Sequence, residues 1–279
     1  MVVFPGAKIN LGLNILKKLP NGFHDIETCM VAVTWSDVLE LVPSQRDNTT
    51  LVQSGLTLDC EPADNFIMKA WRLLANDFDM APVEMYLDKC VPSGAGLGGG
   101  SADATATLLA LKRMYSLPIN DACLERYAAQ LGSDCPFFVY SKPMICKGTG
   151  IEMDAIEVPA LQGKHILIVK PDFSISTAEA YRGCKPQMPH TRISDILRLP
   201  VEQWRDRLVN DFEKSLASGY PQIEAIKELM YKSGAVYASL SGSGSAVYGI
   251  YYTPQEAKAA QMKLPAEYMS AVCQPVNPM

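Results

Sequence analysis

The sequence lacks the features that mark out several classes of protein. No apolar run approaches the roughly 18 residues of a membrane-spanning helix, so no membrane partner is expected. Positive charge is not in surplus: 25 Lys and Arg stand against 30 Asp and Glu, a formal net charge of −5 at pH 7, which offers no electrostatic footprint for nucleic acid. The eight cysteines (Cys29, Cys60, Cys90, Cys123, Cys135, Cys146, Cys184 and Cys273) contain no C-x-x-C pair. No charged-then-apolar leader with a cleavage site opens the chain, so free thiols in a reducing cytoplasm are expected rather than disulfides or zinc. Repeats and low-complexity tracts are missing, and 48% hydrophobic with 20% charged residues is not the composition of a disordered chain. One absence is local. A glycine-rich stretch occurs, but no lysine follows its glycines, which excludes the P-loop pattern G-x-x-x-x-G-K-[ST].

That stretch is Val91-Pro92-Ser93-Gly94-Ala95-Gly96-Leu97-Gly98-Gly99-Gly100-Ser101-Ala102. It runs into Asp103-Ala104-Thr105-Ala106-Thr107-Leu108-Leu109-Ala110-Leu111, a pattern that predicts a loop opening into an apolar helix. The first N–H groups of a helix lack intrahelical partners and the helix dipole is positive there, so such a junction accepts a phosphate. Glycines let the backbone approach closely, and a branched side chain at Gly99 is expected to weaken nucleotide binding. A flexible linker would carry Ser, Gln or Lys and would not adjoin an apolar helix. Gly94-x-Gly96-x-x-Gly99 fits the dinucleotide fingerprint, but the acidic residue about 20 positions on should end a second strand. Here that region is the turn Leu117-Pro118-Ile119-Asn120-Asp121. A protein-kinase glycine loop lies between two strands, so a phosphate cradle of another type remains.

At 279 residues the chain has room for two domains, with a boundary expected within 155–163. From Lys8 to Asn14 polar and apolar residues alternate, which puts Lys8, Asn10 and Gly12 on one face of a strand. Asn21-Gly22 is a turn leaving Phe23 and His24 at its tip. Strands are expected at Thr28–Thr34, Asp37–Leu41, Leu51–Cys60 and Val83–Cys90, with a helix capped by Pro62-Ala63-Asp64-Asn65 and running through Asn76. A helix over Asp121–Gln130 precedes Leu131-Gly132-Ser133-Asp134-Cys135-Pro136-Phe137-Phe138, where Asp134 sits among apolar neighbours as a turn or N-cap aspartate or as a functional carboxylate. Ile145–Glu152 reads as a glycine turn. Beyond the boundary, strands at His165–Lys170, Val236–Leu240, Ser245–Tyr252 and Ala271–Pro275 alternate with helices at Thr177–Arg182, Ile193–Leu197, Val201–Leu216, Gln222–Met230 and Pro254–Lys263. Coarsely this is β-α-β-β-α-β with extra helices in the first crossover.

Four motifs, Pro5-x-Ala7-Lys8-Ile9-Asn10-Leu11, the loop Pro92–Ala102, Gly132–Phe138 and Leu240-Ser241-Gly242-Ser243-Gly244-Ser245, fall in the order and spacing of one family. The chain resembles the galactokinase, homoserine kinase, mevalonate kinase and phosphomevalonate kinase superfamily. Gly22-Phe23-His24, Pro62-Ala63-Asp64-Asn65 and Asn210-Asp211-Phe212-Glu213 resemble its branch that phosphorylates the 2-hydroxyl of cytidine-diphosphate methylerythritol in non-mevalonate isoprenoid precursor synthesis. The likeness extends over nearly the whole chain. It implies an α+β, two-domain small-molecule kinase fold: an N-terminal ribosomal-protein-S5-domain-2-like ATP-binding domain, 1–157, and a C-terminal ferredoxin-like split β-α-β domain, 158–279.

By the same resemblance, the loop from Pro92 to Ala102 would hold the ATP phosphates, with Ser101 near the β- and γ-phosphates and Asn65 nearer the adenine. Asp134 would be the general base for the substrate hydroxyl and Lys8 would offset charge on the transferring phosphoryl group. Phe23 and Tyr181 would cover the two faces of cytosine while His24 reads its edge, with Asn10 and Thr177 on the remaining polar groups. Phe23 departs from the family's usual tyrosine: the ring face is kept and the phenol's hydrogen bond is lost. No carboxylate matches the magnesium-binding glutamate of mevalonate kinases, so Mg²⁺ is expected to be held mainly through the nucleotide and water. The alternatives are a mevalonate-type kinase, which would need basic clamps and no aromatic sandwich, and a dinucleotide-binding oxidoreductase or nucleotide sensor, in which Lys8 and Asp134 have no role. Oligomeric state, monomer or homodimer, is left open.

Overall fold

The computed structural model describes residues 1–58 and 60–276. Packing groups them into two compact units interleaved along the chain: Met1–Ala7, Ser36–Ser93 and Gly98–Ser141 in the first, and Lys8–Trp35, Gly94–Leu97 and Lys142 onward in the second. This grouping is a different partition from the linear one at 157/158, which we keep as a proposal of domain organisation.

In the first unit a sheet runs in the order Val2–Val3, Val38–Pro43, Val83–Lys89, Thr50–Gly55. Its last pair is parallel, and the helix Phe66–Ala75 forms the crossover between them. Along Val83–Lys89 burial alternates, with Val83, Met85, Leu87 and Lys89 inward. Period 2 therefore delivers a lysine to the core face. Leu39, Leu41, Met85 and Leu87 pack with Ile67, Leu74, Leu108, Leu111 and Leu124 from the helices. Gly99–Met114 is the central helix, buried at Ala102, Asp103, Ala104, Thr105, Thr107 and Leu108, which accounts for its lack of a polar stripe.

The second unit holds two sheets. One joins Gly6–Lys18, His24–Ser36, Met144–Gly148 and Glu152–Ala155 in that order. The other runs Tyr237–Leu240, Val247–Tyr251, His165–Lys170, Met269–Cys273, with every neighbouring pair antiparallel. Numbered along the chain that is 2-3-1-4, the ferredoxin-like order expected from the β-α-β-β-α-β pattern. Pro221–Lys232 and Pro254–Gln261 precede its second and fourth strands and bury Ile223, Ile226, Met230, Ala257 and Ala260 with Leu167, Val169, Leu240 and Val247.

Several expected elements are corrected. The helix expected over Val201–Leu216 is a 3-10 turn, Val201–Gln203, and a separate helix, Asp211–Leu216. Asp206 takes a left-handed φ of 64° and Asn210 starts the second helix by accepting a hydrogen bond from Phe212 N at 3.0 Å, so a cap overrides an apolar spacing that reads as continuous. The strand expected over Leu51–Cys60 is Thr50–Gly55; residue 59 lies outside the described residues. Cys135–Tyr140 is a short helix, and most of the stretch expected as a glycine turn, Ile145–Glu152, is strand: only 149–151 lie between Met144–Gly148 and Glu152–Ala155, which pair with each other.

Candidate active site

The glycine loop leaves the strand Val83–Lys89 and enters Gly99–Met114 through its N-cap Gly98, which has a left-handed φ of 68°. Exposure alternates along it: Ser93 and Gly94 are exposed and Gly96, Gly98, Gly100 and Ser101 half-buried, whereas Ala95, Leu97 and Gly99 are buried. The apex, 94–97, is held by its carbonyls. Ala95 O accepts from Ala246 N at 3.0 Å and Leu97 O from Lys8 N at 2.9 Å, and Gly96 O accepts from Ser241 Oγ at 2.9 Å.

Gly96 shows why two distant motifs are rich in glycine. Its φ is +78°, and a Cβ there would lie 2.0 Å from Ser241 O, while one on Gly242 would lie 3.4 Å from Gly96 Cα. The two loops approach backbone to backbone. Gly96→Ala is therefore expected to lose more than about 2 kcal/mol of stability from left-handed strain and the clash together, read as a drop in the denaturant midpoint. An unchanged midpoint would show that this contact is not needed. Gly99 behaves differently from expectation. It opens a regular helix, and its Cβ would meet Val91 Cγ1 at 3.0 Å and Lys89 Nζ at 3.1 Å, so Gly99→Val would disturb packing beneath the loop rather than fill the phosphate path.

Asp134 is the N-cap residue of Cys135–Tyr140, yet its side chain makes no capping hydrogen bond to that helix. It is half-buried and follows Gly132, whose Cβ position lies 3.4 Å from Cys135 Sγ and 3.9 Å from Ser101 Oγ. The turn bearing Asp134 thus sits beside the first turn of the glycine-loop helix. Thr105 Oγ1 fixes it by donating to Cys135 O at 2.9 Å. Burial pushes the Cys135 thiol up to about 11, opposed by its hydrogen bond to Ser101. Asn65 is buried and caps Phe66–Ala75, accepting from Ile67 N at 2.9 Å.

On the strand Gly6–Lys18, Lys8 and Asn10 share a face as expected, but neither is solvated. They are 3% and 1% exposed. Lys8 Nζ donates to Asn10 Oδ1 at 2.6 Å, Asn10 Nδ2 donates to Thr28 Oγ1 at 3.0 Å, and Thr28 Oγ1 donates to Gly12 O at 2.6 Å. Burying an ammonium is costly unless its hydrogen bonds are made, which marks Lys8 as more than a surface lysine.

At the hairpin tip, Leu19 N donates to Phe23 O at 2.8 Å and Phe23 stands 64% exposed. The His24 ring lies flat on Tyr181, centroids 4.5 Å apart and planes 14° from parallel, and Tyr181 meets Phe212 edge-on at 4.8 Å. A base seated on that same face of Tyr181 would have to displace the imidazole. Burial, and secondarily the Lys18 charge, hold His24 below its ordinary value of 6.5, so the ring is neutral at pH 7. Thr177, which opens the helix carrying Tyr181, has its Oγ1 3.3 Å from Ser243 Oγ.

The sequence matches the GHMP kinases N terminal domain over residues 65–142 and the GHMP kinases C terminal domain over 190–270. It is 43% identical, over 96% of this chain and 97% of the other, to a Bacteroides fragilis protein named 4-diphosphocytidyl-2-C-methyl-D-erythritol kinase. It is also 43% identical, over 93% and 96%, to a Porphyromonas gingivalis protein of the same name. The chain belongs to the GHMP kinases, in the 4-diphosphocytidyl-2-C-methyl-D-erythritol kinase family. A crystal structure of a 4-(cytidine 5'-diphospho)-2C-methyl-D-erythritol kinase superposes with a TM-score of 0.86 at 26% identity over all of both chains. A mevalonate kinase structure reaches 0.77 at 15% identity, also over all of both chains, which speaks for the fold only.

In this GHMP kinase the motif Asn210-Asp211-Phe212-Glu213 has an architectural role that sequence reasoning left unassigned. Asn210 Nδ2 donates to Leu240 O and Gly242 O, both at 2.9 Å, so it shapes the Ser241–Ser245 loop from below. Asp211 Oδ2 accepts from Ile15 N at 2.9 Å, and Glu213 Oε1 accepts from Leu240 N at 2.8 Å. Thr28, which orients Asn10, was likewise missed: a threonine inside an apolar strand is an ordinary β residue until its partner is known. Among the described residues no group of three or more His, Cys, Asp or Glu is placed to hold a metal ion, and no helix is long and apolar enough to cross a membrane.

Proposed function

We propose that this chain transfers the γ-phosphoryl group of ATP to the 2-hydroxyl of 4-diphosphocytidyl-2-C-methyl-D-erythritol, giving the 2-phosphate and ADP, in the cytoplasmic non-mevalonate route to isoprenoid precursors. The observation that carries this reading is the near full-length likeness, at 43% identity, to proteins of that name. The backbone N–H groups at Gly98–Gly100 and the Ser101 hydroxyl hold the phosphates at the positive end of the loop helix. Asp134 takes the hydroxyl proton as the oxygen bonds to phosphorus and the bond to ADP breaks. Lys8 offsets the charge on the phosphoryl group in flight. Mg²⁺ would be held mainly through the nucleotide phosphates and water, as suits a hard ion that needs few protein carboxylates, and would there offset phosphate charge. ADP release with a panel of acceptors tests the assignment: the cytidine-diphosphate ester, free methylerythritol 4-phosphate, mevalonate, homoserine and galactose. Preferred turnover of any of the last three would overturn it.

The cytosine pocket is built from Phe23, His24 and Tyr181, with Asn10 and Thr177 on the remaining polar groups. Stacking is worth about 1–3 kcal/mol per base and tolerates any base, whereas a neutral imidazole, one donor and one acceptor, discriminates. Tyr181→Ala is expected to lower kcat/KM for the cytidine substrate and its uridine analogue alike, by roughly 5- to 150-fold, and Tyr181→Phe to change neither much. His24→Ala should shrink the cytidine-to-uridine ratio. Because His24 is held below 6.5, the parent's ratio should persist down to that pH and fall only when the ring gains its second proton below it. A ratio untouched by His24→Ala would make the histidine a structural residue.

A further inference from the structure

Lys89 is 1% exposed, and both carboxylates beside it, Asp37 and Asp103, are buried. Its Nζ lies 2.5 Å from Asp37 Oδ2 and 2.7 Å from Asp103 Oδ2. Asp37 Oδ1 accepts hydrogen bonds from Cys90 N at 2.6 Å and Val91 N at 2.7 Å, the two residues through which the chain leaves the sheet for the glycine loop. Asp103 stands in the first half of the helix through which the chain leaves the loop again. Between them a Cβ on Gly99 would come within 3.1 Å of Lys89 Nζ, which gives one reason for glycine at that position. One ion cluster therefore grips both stems of the loop. No nucleotide-binding or catalytic role assigned above uses it.

We propose that Asp37, Lys89 and Asp103 are positioning residues for the nucleotide, fixing the separation and orientation of the two loop stems on which the phosphate cradle depends. The inference rests on the reading of the chain as an ATP-dependent kinase. A cluster serving stability only would be better replaced by apolar side chains of similar volume, since desolvating three charges costs as much as their attraction returns. Asp37 serves the backbone N–H groups of Cys90 and Val91, where the loop leaves the sheet, as well as the lysine.

The cluster is also unbalanced. One ammonium faces two carboxylates, and in a buried site the surplus negative charge is most cheaply removed by a proton. Asp103 is the one to take it. Asp37 has three donors, whereas Asp103 Oδ1 is buried without a hydrogen-bond partner. Burial, with Asp37 adding to it and Lys89 opposing, pushes Asp103 up to about 7. Cys90 flanks Lys89 and is itself raised by burial and by Asp88 and Asp37. As the pH falls through about 7, Asp103 takes up its proton and the surplus negative charge is removed. Above it Asp103 gains a charge close to where anionic phosphates bind, and nucleotide affinity should fall.

The test uses the full chain and two near-isosteric variants, with ATP affinity by calorimetry and KM for ATP and for the acceptor from pH 6 to 8.5. Asp37→Asn puts an amide N–H against Lys89 or against the stem N–H groups; it should raise KM for ATP about tenfold and leave KM for the acceptor within about twofold. Asp103→Asn mimics the protonated acid, so its KM for ATP near pH 6 should match the parent's. The parent's KM should then climb about threefold more than the variant's by pH 8.5, the ionisation of ATP itself being common to both. If Asp37→Asn raises both KM values alike, or lowers melting temperature with ATP affinity unchanged, the cluster is structural and the proposal fails. If Asp37→Asn does not fold, the pH comparison decides: coincident parent and Asp103→Asn profiles overturn the proposal. A parent that binds no ATP would instead defeat the kinase reading, before any variant is made.

Discussion

Asp134→Asn is expected to lower kcat by about 10²–10⁴-fold, the range of a general base, while leaving the fold and ATP affinity near those of the parent. Two features of the site support so clean a separation. The carboxylate makes no capping hydrogen bond to the helix Cys135–Tyr140 that it precedes, so exchanging it for an amide removes no bond that holds the helix start. The turn is held instead by Thr105 Oγ1 on Cys135 O at 2.9 Å and by burial of Cys135, Pro136, Phe137 and Phe138, none of which the variant touches. A capping aspartate makes the opposite prediction, since asparagine caps about as well as aspartate: activity and stability would both stay put. Single-turnover phosphoryl transfer, with ATP affinity measured on the same preparation, separates the two. A kcat within a few-fold of the parent would remove Asp134 from the chemistry.

How much of this was legible beforehand depends on how local each cause is. The loop-to-helix junction follows from five glycines within seven residues and an apolar continuation, and the ferredoxin-like order follows from strand and helix periods beyond His165. Both are short-range signals, and both are where the sequence puts them. The resemblance names Phe23, His24 and Tyr181 as candidates, but the flat stacking of His24 on Tyr181 could not be read in advance, because it joins residues more than 150 positions apart. The same holds for Gly96 against Ser241: each glycine motif is visible by itself, and their mutual backbone contact exists only in three dimensions. Lys89 was invisible for another reason. A lysine ending an alternating strand looks solvent-facing unless the parity is counted inward from Val83, and its partners come from a strand junction and a helix. Over Val201–Leu216 the apolar residues Val201, Trp204, Leu208 and Phe212 keep a helical spacing across a segment that Asp206 and Asn210 interrupt, so the apolar period masks the cap signal.

Lys8→Met is expected to lower kcat by roughly 10²–10³-fold, the cost of losing one preorganised donor to developing charge, with the fold retained. Methionine keeps the length and apolar stem of the buried side chain and removes the ammonium. The backbone is anchored independently, Lys8 N donating to Leu97 O at 2.9 Å, so the loop apex keeps its tie to the strand. Among the groups the variant disturbs is Asn10 Oδ1, which loses a donor at 2.6 Å and, buried, costs about 1–3 kcal/mol. Asn10 itself remains oriented, because its amide still donates to Thr28 Oγ1 and its backbone carbonyl still accepts from Tyr248 OH at 2.8 Å. The expected pattern is thus a modest fall in melting temperature and a large fall in kcat. If Lys8→Met loses stability as stated but keeps kcat within about threefold of the parent, the lysine is a buried strut for Asn10, and the charge on the transferred phosphoryl group is met by other donors.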